Sequence, residues 1–115
     1  MYCDAFITRI GSSPVAYYYI YPDSGTVTVG MPLDLYVFAL DARFHVIPDY
    51  TGLILFYATD PLAQTPLYHQ FGRWERGVAY FPGGLTFNTP GLQELYVFDW
   101  PGVQAFGYAA FDVRP

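Results

Sequence analysis

Lysine is absent from this chain of 115 residues, and cysteine occurs once, as Cys3. Charge is sparse at 13%, with a net charge of −5. The five cations are Arg9, Arg43, Arg73, Arg76 and Arg114, spread along the chain. Nucleic-acid binding needs a basic stripe, and an anionic membrane surface needs a basic cluster, so neither partner is expected. Strand edges in such a chain lack the lysines that normally block edge pairing. A single cysteine excludes an intramolecular disulfide. Cys3 reads as a small buried hydrophobe, with a thiol open to intermolecular pairing as the alternative. No apolar run approaches the ~18 residues of a membrane span. Residues 1–10 have neither a basic nor an apolar leader region, so no secretory signal is expected. With Met1 read as the native start, synthesis in the cytoplasm is the expectation.

Aromatic residues are what the chain has in excess. They make up 21% of it, as twelve Tyr, ten Phe and two Trp. A core of this size holds about ten rings at native packing density. The remainder belong on the surface or in an interface. Tyrosine suits an interface because it buries a large rigid area and keeps a polar tip.

No helical periodicity is present. Eleven glycines and ten prolines punctuate segments rich in Val, Tyr, Phe, Thr and Leu. Short strands at regular spacing read as an all-β sandwich or barrel. Strands are expected near Asp4–Ile10, Val15–Tyr21, Thr26–Val29, Leu33–Leu40, Gly52–Thr59, Val78–Phe81, Leu92–Phe98 and Gln104–Val113. Asp60–Pro66 reads as a loop, Phe81–Gly84 as a turn or bulge, and Trp100-Pro101-Gly102 as a hairpin connection.

Period-two alternation assigns the faces. In Leu33–Asp41, Leu33, Leu35, Val37 and Ala39 suit a core. Their alternates are Asp34, Tyr36, Phe38 and Leu40, three of them large and apolar. Ile54, Phe56 and Ala58 alternate with Leu53, Leu55 and Tyr57. Leu95 and Val97 alternate with Tyr96 and Phe98, and Ala105, Gly107 and Ala109 with Phe106 and Tyr108. A sheet apolar on both faces is covered on both faces. In a chain this short the second cover is expected to be another molecule.

The chain divides at about residue 24. Residues 1–23 are expected as an N-terminal extended arm or as first strands, and residues 24–115 as the sandwich. Tyr17, Tyr18, Tyr19 and Tyr21 fill four of five consecutive positions and put rings on both faces of one strand. Such a strand is sandwiched or lies on a neighbour.

The polar residues offer little chemistry. Asp34, Asp41, Asp49, Asp60, Asp99 and Asp112 sit mostly at strand ends, where aspartate accepts hydrogen bonds from its own turn. Asp41, Asp49 and Asp60 would bind calcium if they converged, but a D-x-D-x-D spacing is absent. His45, His69 and Cys3 are too few and too far apart for zinc. Neither a nucleophile elbow nor a glycine-rich phosphate loop is present. Neither a cofactor nor a metal is expected. Arg73-Trp74-Glu75-Arg76 reads as a solvated tip or, through Trp74, as an interfacial contact point.

Four segments carry a resemblance. They are Gly30-Met31-Pro32 leading a strand into Ala39-Leu40-Asp41, then Tyr50-Thr51-Gly52 leading a strand to Asp60. The others are Pro66–Phe71, with one residue displaced, and Thr89-Pro90-Gly91 leading a strand to Asp99. On these motifs the chain resembles the bacterial and phage immunoglobulin-like domains of the invasin and intimin type over roughly two thirds of its length. The resemblance implies an immunoglobulin-like β-sandwich and no catalytic residues, since such domains are spacers, adhesive modules or decoration. It also implies outward positions of Thr or Ser. Here these positions hold Tyr36, Phe38, Leu53, Leu55, Tyr57, Tyr96 and Phe98.

The expectation is therefore an all-β, immunoglobulin-like sandwich with an N-terminal arm, acting as a non-enzymatic structural protein of a bacteriophage virion. It would decorate a capsid or build a tail, and would sit in the virion after synthesis in the host cytoplasm. Its partners would be copies of itself, as a homo-oligomer, and a major capsid or tail protein. The expected contact residues are Tyr17, Tyr18, Tyr19, Tyr21, Tyr36, Phe38, Leu53, Leu55, Tyr57, Trp74, Tyr96, Phe98, Phe106 and Tyr108. The alternatives are an extracellular surface filament subunit or adhesin-type module, and a carbohydrate-binding module that stacks sugars on rings such as Tyr36 and Phe38.

Overall fold

The structure is a computed structural model that describes residues 14–102 and 105–115. Within these residues eight strands follow one another: β1 (Tyr17–Tyr21), β2 (Ser24–Thr28), β3 (Leu33–Leu40), β4 (Leu53–Ala58), β5 (Tyr68–Gln70), β6 (Val78–Leu85), β7 (Gly91–Trp100) and β8 (Phe106–Arg114). One 3-10 turn, Arg73–Glu75, precedes β6. Among the described residues no helix is long and apolar enough to cross a membrane.

The strands form two sheets, a three-stranded one in the order β1-β3-β6 and a five-stranded one in the order β2-β8-β7-β4-β5. All pairings are antiparallel except β2 with β8, which is parallel. The chain leaves the first sheet after Tyr21, crosses at Pro22-Asp23 and enters the second sheet at Ser24.

Alternation places the core between the sheets. Tyr18 and Ile20 of β1, Leu35, Val37 and Ala39 of β3, and Ala79 of β6 point inward from one side. Ile54 of β4, Leu95 and Val97 of β7, and Ala109, Phe111 and Val113 of β8 meet them from the other. The result is an all-β fold of two sheets packed face to face. The inward sets read from β3, β7 and β8 are buried as the period-two pattern predicts, except Leu33, which is half-buried at the start of β3.

Expectation and structure differ locally. Phe81–Gly84 lies within β6 as a bulge: Leu33 pairs with Leu85 while Leu35 pairs with Phe81. Gly83 supplies the left-handed φ of 60°, and its N–H donates to Asp34 Oδ1 at 2.8 Å. β5 was not expected as a strand. Tyr68-His69-Gln70 shows no apolar alternation, yet pairs with Leu53–Leu55 of β4. Of the arm, Tyr17–Tyr21 is a strand paired in register with Leu40–Tyr36 of β3. Residues 1–13, with the Asp4–Ile10 strand and Cys3, lie outside the described residues, as does Gln104.

Candidate functional site: two aromatic sheet faces

Cross-strand register gathers the outward rings into rows. On the three-stranded sheet, Tyr19 lies opposite Phe38, and Tyr21 opposite Tyr36, which in turn lies opposite Tyr80. The Tyr36 and Tyr80 rings stack at 4.6 Å with 26° between planes. Tyr19 and Phe38 sit 5.8 Å apart, Tyr21 and Tyr36 6.4 Å, and Tyr36 and Phe38 6.5 Å. Asp34 lies beside Tyr80; burial, and then that charge, raises the phenol's pKa. At one end of this face Tyr17 stacks on Phe44 at 4.8 Å and 18°. Phe44 holds a left-handed φ of 64°, a strained backbone for an aromatic residue. The Asp41 carboxylate fixes its loop by accepting N–H bonds from Arg43 at 2.8 Å and His45 at 3.0 Å.

The five-stranded sheet has two outward rows of its own. One runs Tyr57, Tyr96, Tyr108 across β4, β7 and β8. The other runs Tyr68, Leu55, Phe98, Phe106 from β5 to β8. Glu94 organises the first row: Tyr96 and Tyr108 donate their hydroxyls to its two carboxylate oxygens at 3.1 and 2.7 Å. Both phenols are raised in pKa, Tyr96 by burial and then this hydrogen bond, Tyr108 chiefly by the hydrogen bond. Trp100 continues the face opposite Leu53 and is exposed.

The expected contact residues fall into three groups. Tyr17, Tyr19, Tyr21, Tyr57, Trp74, Phe106 and Tyr108 are exposed. Tyr36, Phe38, Leu53, Leu55, Tyr96 and Phe98 are half-buried, and for Tyr36, Phe38 and Tyr96 neighbouring rings in the rows supply part of the cover. Tyr18 is the correction. It is 3% exposed in the chain's own core, with its hydroxyl on that of Tyr50, so it is no surface residue. Tyrosines on both parities of β1 left its inward face open, and the burial of Tyr18 and Ile20 in the core decides it. Tyr80, Trp100, Tyr68 and Phe44 belong to the faces but were not expected there. Trp100 continues the outward parity of Tyr96 and Phe98 in β7, and Tyr80 takes the outward side of β6 next to buried Ala79.

The polar clusters are inward and self-satisfied. Asp60, 3% exposed, accepts four hydrogen bonds: from Leu62 N and Thr89 Oγ1 on Oδ1, and from Asn88 N and Thr89 N on Oδ2. Asp60 follows the end of β4 whereas Asp41 follows the end of β3, and Asp60 spends its oxygens on the β7 approach. Among the described residues no three His, Cys, Asp or Glu side chains gather as a metal site, so the calcium set Asp41, Asp49 and Asp60 is not assembled. His69 packs edge-on against Phe71 and Phe81, and its Nε2 lies 2.9 Å from both Glu75 oxygens. Glu75 also accepts the Gly72 N–H at 2.8 Å. Within Arg73–Arg76, then, Glu75 is turned inward and Trp74 is 83% exposed. An open cleft of about 200 Å³ between Pro14, Asp41, Ala42 and Arg43 is smaller than ligand pockets, which run to roughly 300–1,000 Å³.

A scan against protein-family models finds no match, and a search of curated proteins finds none. What the geometry defines is a class: an all-β, two-sheet domain whose outer faces are both paved with aromatic rings.

Proposed function

We propose that this chain is a non-enzymatic structural protein that assembles in many copies through its two outer sheet faces. The observation that carries the reading is the pair of contiguous ring arrays, Tyr19–Phe38 and Tyr21–Tyr36–Tyr80 on one face and Tyr57–Tyr96–Tyr108 and Leu55–Phe98–Phe106 on the other. Exposed apolar patches beyond a few hundred Å² mark association sites. At about 25 cal/mol per Å² of apolar area, covering several such rings contributes several kcal/mol.

The immunoglobulin-like assignment is part of this proposal. Lettering the strands A, A′, B, C, C′, E, F and G in chain order gives sheets A-B-E and A′-G-F-C-C′. This order supports the assignment, although strand D and the inter-sheet disulfide of antibody domains have no counterpart among the described residues. The motif resemblance fits a bacteriophage virion and an extracellular surface subunit alike; the apolar outer faces favour the virion, as capsid decoration or tail component, with a major capsid or tail protein as the second partner.

Ring geometry argues against the carbohydrate-binding alternative. A sugar platform needs coplanar rings with free faces. Tyr36 and Tyr80 cover each other's faces at 4.6 Å, and the rings of Tyr57, Tyr96 and Tyr108 are tilted by 36° and 53° from one to the next.

Quantitative mass spectrometry of purified particles tests the location. Multiple copies per particle are expected. Recovery from surface filaments of uninfected cells would instead favour the extracellular filament subunit.

A further inference from the structure

We infer that β1 pairs edge to edge with β1 of a second copy, joining two three-stranded sheets into one across a two-fold axis. This inference rests on the proposed assembly and names its partner and register.

The described residues give the sandwich four sheet edges; two carry devices that block pairing, and a third has few side chains to fix a register. β6 has Pro82, which lacks an N–H, and the Gly83-Gly84 bulge. β5 is three residues long and runs into the 3-10 turn. β2 is Ser24-Gly25-Thr26-Val27-Thr28, with Gly25 at φ 147° and little side chain to pack. β1 is different. Its five residues pair with β3 in unbroken register and contain neither proline, glycine nor charge. Among the described residues, no strand pairs with its other edge.

The sequence of β1 also reads alike in both directions. Tyr17, Tyr19 and Tyr21 point outward, and Tyr18 and Ile20 inward. Antiparallel pairing centred on Tyr19 sets Tyr19 opposite Tyr19 of the second copy, and Tyr17 opposite Tyr21. Tyr18 then faces Ile20, so both faces keep their parity. An isologous two-fold contact requires this self-complementarity. The outward tyrosines become cross-strand pairs about 5 Å apart, in reach of one another. They extend the Tyr21–Tyr36–Tyr80 row across the joint. With no charge in β1, no like charges meet.

The six tyrosines would cover at most about 600 Å² of ring surface, since each ring offers 150–250 Å² and roughly half is already covered. That is below the roughly 1,200 Å² of a stable pair, so the contact depends on concentration and on repetition within an assembly.

Cross-linking tests the register on the full chain carrying Cys3→Ser. Tyr17→Cys and Tyr21→Cys proteins are oxidised mildly, separately and as an equal mixture. A disulfide needs Cα atoms about 4.4–6.8 Å apart, which the pairing gives to Tyr17 with Tyr21 and denies to either residue with itself. The mixture should yield heterodimer in severalfold excess over either homodimer, and Tyr19→Cys alone should link to itself. Homodimers as abundant as heterodimers, or no linkage of any of the three, overturn the inference. The latter is also the result if the chain's own residues 1–13 occupy this edge. Oligomers seen by light scattering without the cross-link pattern refute the edge contact and leave assembly through the faces standing. Monomers throughout refute both.

Discussion

Gly107 of β8 lies directly under the carbonyl of Tyr18 in β1. A Cβ built on Gly107 would come within 2.4 Å of that oxygen. The two sheets therefore approach too closely at this point for any side chain on Gly107. The neighbour is backbone, held by the β1–β3 ladder, and has no rotamer into which to retreat.

Gly107→Ala should therefore destabilise the fold. Alanine restricts the unfolded chain and recovers about 0.5–1 kcal/mol, but separating the sheets costs about 1–3 kcal/mol. A lower denaturant midpoint with an unchanged m-value is the expected result.

Asp60 ties the end of β4 to the approach of β7. Burial pushes its pKa up, but the hydrogen bonds from the Thr89 hydroxyl and the Asn88, Leu62 and Thr89 amides outweigh burial and hold it below the usual carboxylate range. Asp60→Asn points an N–H₂ group at donors and should cost about 2–3 kcal/mol.

The same group sets the acid limb of stability. Its folded pKa is depressed, so the unfolded state binds more protons as the pH falls. The stabilisation is complete above the ordinary carboxylate range and is lost as pH falls through the depressed folded value. Asp41, lowered by the His45 amide and then by the Arg43 amide against some burial, adds to this limb. Urea midpoints from pH 6 down to pH 2 should fall, and less steeply in Asp60→Asn.

Tyr18 and Tyr50 set the alkaline limb. Burial raises Tyr18 first, and its hydrogen bond to Tyr50 raises it further; burial also raises Tyr50. The unfolded chain releases these protons near pH 10, while the fold holds on to them to higher pH, Tyr18 most strongly. Stability is thus intact below about pH 10 and falls as pH rises beyond it. Ultraviolet titration should show Tyr18 ionising only with unfolding and Tyr50 ionising above the ordinary phenol range, and Tyr18→Phe should abolish the first component.

The exposed rings should separate folding from association. Tyr57→Ser and Phe106→Ser alter residues 58% and 64% exposed, so stability should change by less than about 1 kcal/mol. Oligomer mass should nonetheless fall. An equal loss of stability and mass would assign these rings to the fold alone.

Much of this was legible in the sequence because period two carries it. β3 has the bounds Leu33–Leu40 that its alternation implied, and Leu95, Val97, Ala109 and Val113 face inward as their parity required. What was illegible depended on distant partners. Pro82-Gly83-Gly84 reads locally as an interruption, yet Asp34 holds Gly83 within β6. Asp60 reads as a turn acceptor and does bond Leu62, but nothing local announces Asn88 and Thr89. His69 and Glu75 are six positions apart across a turn, and only the fold brings them to 2.9 Å. The ring rows depended on register: alternation showed that Tyr36 faces outward, but not that Tyr21 and Tyr80 flank it.

Mass in solution tests the central claim most directly. Light scattering on the full chain should give a mass above the 13.0 kDa protomer that rises with concentration toward about 0.1 mM, a range in which weak micromolar contacts fill. The association should persist in about 1 M salt, because screening weakens charge pairs and leaves apolar contact intact. A constant 13.0 kDa over that whole range would contradict an account in which these aromatic faces are built to meet other copies of the chain.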